Sequence, residues 1–163
     1  MDIRGYLASL GIGFREFRHP PVYTCEEANK YNKEIRGIHS KNLFLKERKG
    51  RRFYLVILPE HKRASMEELG KIVDEKLKFA NDDDLISILG VHAGSVSPFA
   101  LINDKEHRVK VMIDREVWDS EYVSFHPCIN TETFELLGKD FHRYIESLDN
   151  DRRVLDREFS LEV

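Results

Sequence analysis

Two apolar runs, Ser40-Lys41-Asn42-Leu43-Phe44-Leu45-Lys46-Glu47-Arg48 and Arg52-Phe53-Tyr54-Leu55-Val56-Ile57-Leu58, flank the turn signal Arg48-Lys49-Gly50-Arg51. Runs of this length around a glycine-containing turn predict a β-hairpin over residues 40–48 and 52–58. A hairpin joins antiparallel strands, and its connection is too short for a crossover helix. The sheet is therefore expected to be mixed and mostly antiparallel, in an α+β (mixed α/β) domain, and not a doubly wound parallel one.

Outward from the hairpin, Ile3, Leu7 and Leu10 recur at helical spacing before Gly11, which predicts a helix over residues 2–10. Phe14 and Phe17 lie in a short extended piece ending at Pro20-Pro21. Thr24 is a candidate N-cap for a helix that carries Cys25 and Ala28 on one face. Ser65 and Glu68 have capping-box spacing ahead of Met66, Leu69, Ile72 and Val73. Asn81 or an aspartate after it starts a further helix with Leu85, Ile86 and Leu89 apolar and Gly90 at its end. Extended segments are expected at residues 99–102, 109–113, 122–125 and 129–136, followed by a helix over residues 138–148. The polar end beyond Asn150 is expected to be a loosely held, flexible tail.

At 163 residues the chain fits a single domain, residues 1–163, large enough to bury a core without staples. Hydrophobic residues at 41%, aromatics at 10% and charged residues at 34% describe a soluble globular protein with no membrane span and no signal-peptide core. Cys25 and Cys128, unclustered, fit a reducing cytoplasm and cannot make a four-ligand zinc site alone. With 26 basic and 29 acidic residues the formal charge is -3, which argues against coating nucleic acid, DNA included, by bulk electrostatics. The charge is uneven, however. Lys46, Arg48, Lys49, Arg51, Arg52, Lys62 and Arg63 stand against Glu47 and Glu60, either as a solvated hairpin tip or as a phosphate-binding surface.

Three segments carry candidate chemistry. Lys41 begins an apolar strand, where an ammonium either keeps an edge soluble or holds a phosphate or a developing oxyanion. Asn42 points to the opposite face of a regular strand, so the two can serve one ligand only near a strand end or a bulge. Gly94-Ser95-Val96-Ser97-Pro98 combines a glycine that admits close backbone approach with a proline that fixes the far end of the loop. His126 is held extended by Pro127. No nucleophile elbow, metal cluster or dinucleotide fingerprint accompanies them, so no cofactor and no metal are expected.

In order along the chain, His19-Pro20-Pro21-Val22-Tyr23-Thr24-Cys25-Glu26-Glu27-Ala28, Lys41-Asn42-Leu43-Phe44-Leu45, residues 53–59, Gly94-Ser95-Val96-Ser97-Pro98-Phe99-Ala100-Leu101-Ile102-Asn103 and Phe125-His126-Pro127-Cys128-Ile129-Asn130-Thr131 resemble the YbaK-like prolyl-tRNA editing family, over residues 2–148. The Lys-Asn-Leu-Phe-Leu form looks like its free-standing branch. The resemblance implies a sheet curled into a partial barrel with flanking helices, and a trans-editing aminoacyl-tRNA deacylase that hydrolyses Ala-tRNA(Pro). It makes Lys41 the essential lysine. Gly94, Ser95 and Pro98 become parts of the substrate loop, His126 a pocket residue and Asn42 a contact for the tRNA end. Cys25 and Ala28 are then pocket liners or core. Lys46, Arg48, Lys49, Arg51 and Arg52 would contact the tRNA acceptor end, with prolyl-tRNA synthetase as a further partner. Val91-His92-Ala93 and Cys128 differ from the family's usual residues beside the pocket. Cysteine, serine or 2-aminobutyrate therefore stands beside alanine as the residue removed, and a non-catalytic amino-acid or synthetase-binding module is the contrasting class.

Overall fold

The computed structural model describes residues 2–21 and 34–156. Eight strands form one mixed sheet: β1 (Arg15–Arg18), β2 (Ile38–Glu47), β3 (Phe53–Pro59), β4 (Leu77–Phe79), β5 (Val109–Asp114), β6 (Tyr122–Phe125), β7 (Glu132–Leu137) and β8 (Arg152–Leu155). Their order is β1-β7-β6-β2-β3-β5-β8, with β4 also pairing β2. The sheet does not close into a barrel. The β2–β3 hairpin pairs Ser40 with Pro59 through to Lys46 with Phe53 without a bulge. β2–β4, β1–β7 and β6–β7 are likewise antiparallel, whereas β2–β6, β3–β5 and β5–β8 are parallel. Residues 152–155, expected in a loose tail, instead form β8, because the register of Val111 to Asp114 offers them an otherwise open strand edge.

Strand alternation divides the apolar residues into two cores, one per sheet face. The larger contains Phe44, Phe53, Leu55 and Ile57 under α1 (Ile3–Ser9), and the smaller contains Leu45, Tyr54, Val56 and Leu58 under α2 (Met66–Val73). Ser65 caps α2 by accepting from Glu68 N, while the reciprocal capping box forms at Asn81 and Asp84, which open α3 (Asp82–Asp84). A π-helical turn (Leu85–Leu89) follows and advances the face. Ile88 is buried there and Ile86 is exposed, the reverse of a straight 3.6-residue count. Residues 99–102, expected to be extended, lie in a 3-10 helix (Pro98–Asn103) that Ser97 caps with Pro98 in its first position. The short helix α4 (Arg115–Trp118) and then α5 (Gly138–Ser147) complete the order. No helix among the described residues is long and apolar enough to cross a membrane.

A buried carboxylate ties β7 to the segment entering β2. Glu135, 2% exposed, accepts from Arg36 N at 2.6 Å and Arg36 Nη2 at 3.0 Å, and lies 3.3 Å from Arg15 Nη1. Burial alone raises its pKa, but the Arg36 bonds and the two guanidinium charges outweigh that and hold it below 4.5. A carboxyl depressed in the folded state contributes stability above its unfolded pKa and loses it as pH falls through the folded one. Glu135→Gln should therefore cost about 2 kcal/mol at pH 7 and less below about pH 4, so its acid-unfolding limb should be shallower than the wild type's. Urea titrations across that range check this.

Candidate active site

β2 changes neighbours along its length. On the side away from β3, Ile38 and His39 pair with β6, and Leu45 to Glu47 pair with β4. Among the described residues, 40–43 have no ladder partner on that side, which leaves a window in the pairing of β2. The Lys41-Asn42 pair sits in this window. Lys41 lies opposite Leu58 and is the fourth residue of β2, which pairs regularly without a bulge, so the strand end expected at Lys41 is not found and Lys41 and Asn42 leave opposite faces. Lys41 shares a face with Leu43 and Leu45, and Asn42 shares the other with Phe44. Lys46 and Lys62 bind Asp84 at 2.6 Å and Asp114 at 3.2 Å, whereas the half-buried Lys41 has no carboxylate partner among the described residues.

The 94–98 loop comes to this window. Asn42 Nδ2 donates to the Val96 carbonyl at 3.2 Å. Gly94 is exposed with φ +90°, a left-handed conformation that favours glycine. Ser95 N donates to the His92 carbonyl at 3.1 Å, closing a turn, and Ser97 Oγ accepts from Phe99 N at 3.2 Å. At the far end the Tyr144 hydroxyl donates to the Pro98 carbonyl at 2.7 Å. Burial, with smaller contributions from Cys128 and Tyr6, raises the Tyr144 pKa well above 10, so it remains a donor. Tyr144→Phe keeps the edge-on packing against Phe99 and Tyr6 but removes the hydroxyl bond to the Pro98 carbonyl. The expected cost is about 0.5–1.5 kcal/mol, which thermal melts of the variant and the wild type check.

His126 leaves β6 level with Lys41, counting along the parallel register in which His39 faces Ser124. Its Nδ1 donates to the Glu132 carbonyl at 2.8 Å, so Nε2 is the acceptor nitrogen. Burial lowers its pKa below 6.5; the Glu132 bond opposes this and the nearby His19 adds to it. The ring is thus neutral at physiological pH. Thr133 Oγ1 bridges the pair, 2.8 Å from His19 Nε2 and 3.5 Å from His126 Nδ1. Cys128, half-buried in the following turn at φ +69°, has its thiol pushed up to about 11 by burial and is no nucleophile at neutral pH.

Cys25 and Ala28 lie outside the described residues. Of the basic hairpin residues, Arg48, Lys49, Arg51 and Arg52 are exposed. Lys46 is taken up by Asp84, and Arg52 forms a two-pronged pair with Glu75 at 2.7 Å per bond. Lys46 and Arg52 are thus paired with carboxylates distant in sequence, and Arg52 remains exposed. Two residues of the site had no signal in the sequence: Tyr144 on α5 and Ser40 in the window.

A family profile described as aminoacyl-tRNA editing domain matches residues 19–144. The chain is 34% identical over 151 residues to the prolyl-tRNA editing protein ProX of Acetoanaerobium sticklandii, covering 92% of each chain. It is 31% identical to prolyl-tRNA synthetase associated domain-containing protein 1 of Mus musculus, covering 95% of this chain and 94% of that one. A solved structure proposed to be a trans-editing enzyme for prolyl tRNA synthetase superposes with a TM-score of 0.74 at 18% identity, over 94% of this chain and 92% of the other, a likeness of fold. By this profile and these relatives, the chain belongs to the aminoacyl-tRNA editing domain family, enzymes that hydrolyse mischarged aminoacyl-tRNA esters.

Proposed function

We propose that the protein removes a small mischarged amino acid, alanine first, from proline tRNA in trans. The observation that carries the reading is the Asn42–Val96 bond, which joins Asn42, beside Lys41, to the 94–98 loop where β2 has no ladder partner among the described residues. Lys41 supplies an ammonium, with no carboxylate among the described residues neutralising it, for the terminal nucleotide's phosphate or for charge developing on the ester. Backbone groups of the loop orient the aminoacyl moiety. Water adds to the ester carbonyl and the bond to the ribose oxygen breaks, releasing the amino acid carboxylate and a free ribose hydroxyl. An aminoacyl ester is already activated, so orientation and charge stabilisation meet much of the requirement, and the neighbouring ribose hydroxyl helps activate the water. His126, half-buried and held by its bond to the Glu132 carbonyl, serves as a wall.

Selection against proline is steric. A methyl held in a pocket contributes only about 1–3 kcal/mol, so excluding the larger ring must discriminate. Arg48, Lys49 and Arg51 lie about 23 Å or more from Lys41 along β2, at roughly 3.3 Å per residue, where they would meet backbone phosphates beyond the acceptor end. The test charges proline tRNA separately with alanine, cysteine, serine and proline and follows ester loss. Alanine loss fastest, with the prolyl ester stable, is expected. Equal loss of the prolyl ester, or loss of none, overturns the proposal.

A further inference from the structure

Ser40 and Asn42 stand on the same face of β2, two residues apart and so about 7 Å apart along the strand. The Asn42 amide is oriented by its bond to Val96: a carbonyl can only accept, so Nδ2 is the atom engaged and Oδ1 is left as an acceptor. Asn42 Oδ1 and Ser40 Oγ are both buried, and neither has a hydrogen-bond partner among the described residues. Buried polar atoms without partners are rare in folded proteins because each costs stability. Two of them, on one face and inside the window where β2 has neither β6 nor β4 beside it, point to a ligand that brings donors.

We infer that Ser40 is a substrate-positioning residue whose hydroxyl, with Asn42 Oδ1, accepts hydrogen bonds from the α-ammonium group of the bound aminoacyl ester. This rests on the deacylase reading above. At the aminoacylated end the ester carbonyl has no donor and the free ribose hydroxyl has one, whereas the ammonium has three and carries charge. Charge-assisted bonds to buried acceptors are the stronger kind. Lys41 lies on the opposite face, so its charge need not oppose the ammonium at close range.

The test compares wild type, Ser40→Ala and Ser40→Thr on alanyl-tRNA(Pro) and on its N-acetyl derivative, which lacks the ammonium, with thermal melts of each protein. Ser40→Ala should lose about tenfold in kcat/KM on the free-amine ester, and Ser40→Thr should retain most of it. The slower N-acetyl ester should be cleaved alike by all three. Removing an unpaired buried hydroxyl should leave the melting temperature unchanged or raise it by about 2–4 °C. Undiminished activity in Ser40→Ala, an equal loss on both esters, or a loss accompanied by a lower melting temperature overturns the inference and leaves the deacylase reading intact. A wild type inactive on every ester overturns both.

Discussion

Lys41→Ala is expected to lower kcat/KM on alanyl-tRNA(Pro) by about 10²–10³, equivalent to about 2.7–4 kcal/mol of transition-state stabilisation, the range seen when one preorganised charge-stabilising donor is removed. The melting temperature should change little, because no ion pair among the described residues depends on Lys41, in contrast to Lys46 and Lys62. Lys41→Arg should not restore activity. A planar guanidinium at a half-buried position one residue from the end of β3 cannot place charge where a compact ammonium does. Single-turnover ester loss measured beside the melts separates the chemistry from folding. Activity retained within threefold in Lys41→Ala would remove this side chain from the mechanism.

The largest stability effect is expected at Gly37, which precedes β2. Its φ is +86°, and a Cβ there would lie 2.1 Å from the Tyr122 carbonyl oxygen and 2.4 Å from its carbon. Both are backbone atoms of β6, so no rotamer change relieves the contact. The collision falls on the shortest join in the sheet, where only Ile38 with Val123 and His39 with Ser124 pair β2 to β6. Gly37→Ala should cost about 3 kcal/mol or more and lower the melting temperature by about 6–12 °C. Activity should fall as well, since the window containing Lys41 opens immediately beyond that join. Melting within 1 °C of wild type would refute the close approach.

Much of this was legible in the chain itself. The β2–β3 hairpin announced itself by two apolar runs around Arg48-Lys49-Gly50-Arg51, and β6 was bounded by its own pattern at Tyr122–Phe125. The segment after Pro98 was not legible as helix, because four apolar residues fit a buried strand as well as a helical turn, and the choice was made by the Ser97 cap and the Tyr144 anchor. Ile86 and Ile88 exchanged roles because a π-turn breaks the period on which a face is counted. At the site, Lys41, Asn42 and the 94–98 loop carried a local signature. Ser40 did not, since whether a serine hydroxyl finds a partner depends on the packing around it. The pairing of Lys46 and Arg52 with Asp84 and Glu75 was hidden for the same reason, as the carboxylates enter from elements 38 and 23 residues away.

The order of strands has a consequence during synthesis. β3, buried at all seven positions, can zip onto β2 as soon as both have left the ribosome, but its other neighbour β5 begins only at Val109. Through the interval a greasy, unpaired edge is on display, the kind that recruits foreign strands. A nascent chain halted between the two is therefore the species most prone to clump, and slower translation before residue 109 would lengthen the hazard, whereas a pause after residue 114 would not.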